Sequence, residues 1–198
     1  MVKMKKNLLT SLVTASVLGS VMGGVIVHAE EADNKGSNGN VGFKTPANGA
    51  LTLLEVADLN FGDHEISGSD ETYKTETDSK ATVQDLRGTE TGWELRLAQD
   101  GQFMNGEKEL TNAQITLDTQ ELDANSTAIA NVKSNVVLNP NGDSSVIMDA
   151  NKGQGNGLAT ENFKTGNASL SVPGVTTKVI GQYTTTLTWT LMDSVSNQ

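Results

Sequence analysis

Two histidines and no cysteine leave this chain few ways to do nucleophilic or metal chemistry. His28 falls in an apolar leader, so a Ser-His-Asp or Cys-His arrangement would rest on His64, and no Gly-x-Ser-x-Gly elbow accompanies it. A histidine metal cluster needs more than one imidazole, and His64 reads as an ordinary loop residue. Carboxylate pairs for glycoside hydrolysis have 24 Asp and Glu to draw on, which makes no pair specific. Asp149-Ala150-Asn151-Lys152-Gly153 and the stretch from Asn139 to Asp143 are oxygen-rich turns of a kind that can hold calcium. Neither fits an EF-hand loop: Gly153 would take the fifth position and Thr160 the twelfth, where a bidentate Glu belongs. Plain turn chemistry is the better reading, because Asn, Asp and Gly dominate turns for conformational reasons. No catalytic residue, cofactor site or metal site is therefore expected.

The two tryptophans pose a sharper choice. They occur in matching frames, Trp93-Glu94-Leu95 and Trp189-Thr190-Leu191. One reading makes them a stacking platform for a sugar or a peptide. The other makes Trp93, Leu95, Trp189 and Leu191 core anchors, and their alternation with polar residues favours it. Both indoles are then expected to be mostly buried and within one side-chain layer of each other.

The elements that must position these residues are strands. Over 182–191 Tyr183, Thr185, Leu187, Trp189 and Leu191 fall on one face and four threonines on the other, the period of a half-buried strand. Shorter strands are predicted at 51–56, 81–86, 93–98, 113–117, 136–138, 145–148 and 168–172, with a weak one at Glu65-Ile66 before an acidic loop running to Lys80. Asp100-Gly101, Asn105-Gly106 and Asn139-Pro140-Asn141-Gly142 signal hairpin turns. The segment 121–132 is ambiguous, with Ser126 placed to cap one helical turn. Asp85 and Arg87 stand close enough to pair, a contact of little energetic weight unless buried. No stretch carries a helical period. The fold class is all-β, a sandwich or barrel-like domain of short antiparallel strands.

Domain organisation follows from composition. Lys3, Lys5 and Lys6, an apolar run, and Val27-His28-Ala29 make residues 1–29 a secretory signal peptide. Residues 30–50 are polar and glycine-rich, a flexible linker, and 51–198 form the β-domain. Without cysteine the exported domain relies on packing alone. It has 24 acidic side chains against 14 basic ones, three of which lie in the leader, and no basic cluster. That balance excludes nucleic acid and anionic lipid as electrostatic partners, and no membrane span is expected once the leader is removed.

Val83-Gln84-Asp85-Leu86-Arg87, Gly92-Trp93-Glu94-Leu95, and the terminal strand with Trp189-Thr190-Leu191 and Asp193 resemble the WxL surface proteins of Gram-positive bacteria. Leu59-Asn60-Phe61-Gly62 is similar to an early segment of that family. The resemblance runs from about Ala50 to the C-terminus, departing at Ser194-Val195, where relatives often carry a proline. It implies an extracellular, non-enzymatic protein held noncovalently at the cell wall, through peptidoglycan or a wall-bound protein partner, within a surface complex. No Leu-Pro-x-Thr-Gly sorting motif is present, so covalent anchoring is not expected. The alternatives are a secreted glycan-active enzyme and a calcium-dependent adhesin that binds a host matrix protein.

Overall fold

The computed structural model describes residue 33 and residues 35–195; the expected signal peptide lies outside the described residues. Met1–Val41 and Gly42–Gln198 separate into two units, and the fold belongs to the second. Residues 42–49 of that unit are exposed and carry no strand.

All regular structure is extended. In chain order the strands are β1 (Leu51–Glu55), β2 (Glu71–Lys74), β3 (Ser79–Asp85), β4 (Trp93–Gln99), β5 (Met104–Asn105), β6 (Lys108–Glu109) and β7 (Gln114–Leu117). They continue as β8 (Glu121–Leu122), β9 (Asn131–Val132), β10 (Val136–Leu138), β11 (Ser144–Ala150), β12 (Gly157–Phe163), β13 (Ala168–Val172) and β14 (Leu187–Met192). Among the described residues they form three four-stranded antiparallel sheets, ordered β1-β3-β12-β8, β10-β7-β13-β2 and β14-β4-β11-β9, plus the small β5-β6 hairpin. Each large sheet turns an apolar face into one shared core. Val83 and Phe163 come from the first, Ile115, Leu138 and Leu170 from the second, and Leu95, Leu97 and Met148 from the third. The expected all-β sandwich is the observed class.

Several local expectations fail, each for a physical reason. The weak strand at Glu65-Ile66 is absent; the segment is coil, and the strand β2 lies inside the stretch read as an acidic loop. Asp100-Gly101 closes no hairpin, because β4 takes β14 and β11 as its neighbours and not the next strand in sequence. Asn139 to Gly142 likewise carries the chain from one sheet to another, β10 pairing with β7 and β11 with β4. Asn105-Gly106 does sit in a tight turn, with Asn105 opposite Lys108 and Gly106 at φ 59°. Ser126 caps no helix: its hydroxyl accepts the Thr160 amide at 3.0 Å, bracing β12 from a loop.

Candidate functional site

β4 is the most deeply set strand, with Trp93, Leu95 and Leu97 all fully buried. The Trp93 indole donates from Nε1 to the Gly155 carbonyl at 3.3 Å, so its one polar group is satisfied in the core. Glycine is required on both sides of this packing. A Cβ on Gly155 would stand 2.5 Å from Trp93 Nε1, and one on Gly92 would stand 2.4 Å from the Ala150 carbonyl oxygen.

β14 runs antiparallel along β4 with Leu191 opposite Leu95 and Trp189 opposite Leu97. All four family-motif side chains therefore share one face. The expectation that the indoles occupy one layer needs correction, however. Antiparallel pairing sets the two leucines against each other and sends the tryptophans in opposite directions, four residues apart along the strands, or roughly 14 Å at ~3.4 Å per residue. Their environments differ too. Trp189 and Leu191 are only half-buried, and Trp189 packs edge-on against Phe163 with centroids 5.8 Å apart.

The pair read at Asp85 and Arg87 is buried and does more than an exposed ion pair. Arg87 donates Nε and Nη2 to the two Asp85 carboxylate oxygens at 3.0 and 2.8 Å. Its remaining donors reach the Gly92 carbonyl at 2.8 Å and the Asp193 carbonyl at 2.7 Å. One guanidinium thus ties the end of β3, the entry to β4 and the exit from β14. Burial pulls the Asp85 carboxyl upward, but the hydrogen bonds and charge of Arg87 outweigh it and hold the group below its ordinary range.

Trp189 also lines a groove of about 1140 Å³. Buried Phe103, Leu110, Ile115 and Leu170 line it, with Phe61 meeting Phe103 edge to face at 6.4 Å. One wall is the loop carrying Asn60-Phe61-Gly62 and His64; another is the strap from Lys178 to Thr185. His64 is more than a loop residue. Its ring stacks on Tyr73 at 4.0 Å, and Nε2–H donates to the Phe61 carbonyl at 2.6 Å, fixing the tautomer. The strap is held by the Val179 amide donating to the Tyr183 hydroxyl at 2.9 Å and by paired backbone bonds between Met104 and Thr184. Lys178 spends its ammonium on the carbonyls of Ser67, Pro173 and Thr176. Asp58, Asp63, Glu65 and Glu76 also line the groove, and Ile66, Val179 and Ile180 stand exposed along it.

Two features escaped sequence reasoning. The groove assembles from segments more than a hundred residues apart; sequence reasoning singled out lining residues such as Leu59-Asn60-Phe61-Gly62, His64 and Trp189 without bringing them together. Glu161 lies in the core with no hydrogen-bond partner for either oxygen among the described residues, and burial pushes it up to about 9. A raised carboxyl is what an acid catalyst needs, but this one is fully buried, without a surface from which to reach substrate. The oxygen-rich turns satisfy themselves: Asn141 donates to Asp143 at 2.8 Å, while Asp149 lies within β11 and pairs with Lys133. Among the described residues no group of three His, Asp or Glu side chains is arranged to hold a metal ion, and no helix is long and apolar enough to cross a membrane.

Comparison with curated proteins and with solved structures found no match. A family model described as WxL domain, surface cell wall-binding, matches residues 30–194. That span holds both Trp-x-Leu strands, the Arg87 clasp and the whole groove. The chain belongs to the WxL family of surface cell wall-binding domains.

Proposed function

We propose that this domain is a non-catalytic attachment module that holds a surface complex to the wall noncovalently, by seating peptidoglycan or a wall-bound protein in the groove between the Asn60–His64 loop and the Lys178–Thr185 strap. The supporting observation is the groove itself. An apolar floor opens beneath a rim where Ile66 and Ile180 are 58% and 94% exposed, an arrangement that costs solvation unless a ligand covers it. The tryptophan pair is not the contact surface in this reading: Trp93 is sealed, and Trp189 is one half-buried lining residue among many.

Sedimentation with purified Gram-positive cell walls tests it. Ile180→Asp and Ile66→Asp place charge on the rim without touching the core and are expected to lower wall-bound protein at least tenfold. Val137→Asp, at an exposed position outside the groove lining, should sediment like the parent. Rim variants that sediment undiminished would remove the groove from the account.

A further inference from the structure

β14 is the outer strand of its sheet, with no strand beyond it among the described residues. Its orientation is fixed by the Asp100 amide, which donates to the Thr186 carbonyl at 3.0 Å. In an antiparallel ladder successive residues alternate toward and away from the partner. Thr188 and Thr190 therefore aim their backbone groups at β4, while Leu187, Trp189 and Leu191 aim theirs at the open edge. Leu187 and Trp189 are also groove residues. Unpaired main-chain donors and acceptors thus border an apolar trough, the two components of strand addition. Natural proteins blunt such edges with lysine, proline or a covering segment. Residues 187–192 contain neither lysine nor proline.

Charge says what kind of strand fits. Four carboxylates line the groove against one ammonium, and that ammonium is committed to three backbone carbonyls. A second copy of this chain would bring a net charge of −10 to an acidic trough, which disfavours self-pairing. We propose that the groove receives an extended segment of a partner protein, with lysine or arginine flanking apolar side chains on one and the same face, which adds to β14 as a further antiparallel or parallel strand. The main chain of the partner bonds to Leu187, Trp189 and Leu191, its apolar side chains enter the trough, and its cations meet Asp58, Asp63, Glu65 and Glu76. This rests on the groove being the attachment site and names its occupant as polypeptide.

The test uses the chain from residue 30 onward with two synthetic heptapeptides, Lys-Thr-Val-Thr-Val-Thr-Lys and Glu-Thr-Val-Thr-Val-Thr-Glu, whose charged and valine positions share one face of the strand. Amide hydrogen exchange read by NMR should slow at least tenfold at Leu187, Trp189 and Leu191 with the lysine peptide, leave Thr188 and Thr190 unchanged, and weaken with added salt. The glutamate peptide should do nothing. Equal protection by both peptides, or no slowing at the three edge amides, overturns the proposal. Leu187→Pro removes an outward N–H at the first strand position and should weaken the lysine peptide about tenfold; wild-type exchange decides the matter if that variant fails to fold. Walls stripped of protein by protease separate the two readings. Sedimentation should fall with them; undiminished sedimentation sinks the strand partner and leaves wall attachment standing. Failure to sediment even with intact walls sinks the attachment reading, while the exchange experiment still decides this one.

Discussion

Arg87 donates a 2.7 Å hydrogen bond from Nη1 to the carbonyl of Asp193, joining residues 106 positions apart. The same guanidinium holds Asp85, whose side chain is 1% exposed. The last strand is thus latched to the third through one side chain, and the geometry is a planar fork that lysine cannot reproduce.

Removing that fork should be costly. Arg87→Ala leaves the Asp85 charge buried without its partner, a class of change worth about 3–5 kcal/mol. The pH dependence has a definite sign. Asp85 is held below its ordinary range in the folded state, so its stabilising contribution is present above the unfolded value of ~4 and lost as pH falls through the folded one. Urea unfolding at neutral pH and at stepwise lower pH should show the parent losing an acid-sensitive increment that Arg87→Ala has already lost.

The two tryptophans should behave unequally. Trp93 is fully buried, and Trp93→Ala should cost ~3–5 kcal/mol. Trp189 is half-buried, and Trp189→Ala should cost roughly half as much. Acrylamide quenching of the parent should resolve a protected and an accessible component. Trp93→Phe should leave mainly the accessible one and Trp189→Phe mainly the protected one; equal quenching in the two variants would contradict the assignment.

Glu161 reverses the usual carboxylate trend. Burial alone raises it from 4.5 to about 9, so across that window the unfolded chain gives up the proton and the folded one keeps it. Stability should therefore fall as pH rises from 5 toward 9, by at most about 1.4 kcal/mol per pH unit. Glu161→Gln carries no such proton. Denaturation midpoints compared at pH 5 and pH 8.5 should differ less in the variant than in the parent, and an equal difference would place the titration elsewhere.

How far the sequence could be read follows from what these residues do. β4 and β14 were legible because Trp93, Leu95, Leu187, Trp189 and Leu191 alternate with polar neighbours at the strand period. β12 was not, although it lies inside its sheet, because Thr160, Glu161 and Asn162 break the apolar pattern there. Its register is imposed by β3, Ala159 facing Val83 and Glu161 facing Ala81. The hairpin signal at Asn139-Pro140-Asn141-Gly142 named a turn correctly but not its partners, and the one at Asp100-Gly101 marks only a bend, since turn residues report local backbone freedom and not which strand lies alongside. The Asp85 and Arg87 pair was visible as a pair, while its depth depended on Gly92 and Asp193 arriving from elsewhere. The groove was the least legible feature. His64 gains its place by stacking on Tyr73, and the Lys178–Thr185 strap by pairing with Met104, contacts that neither local sequence announces.

In the proposed function the groove grips the wall, and the paired tryptophan strands as such do not. The most direct measurement places a photo-crosslinking residue at Ile180, on the groove rim, and separately at Val137, outside it, and irradiates each variant on intact walls. Wall-derived adducts are expected from position 180 and none above background from position 137. Adducts from position 137 alone would contradict it.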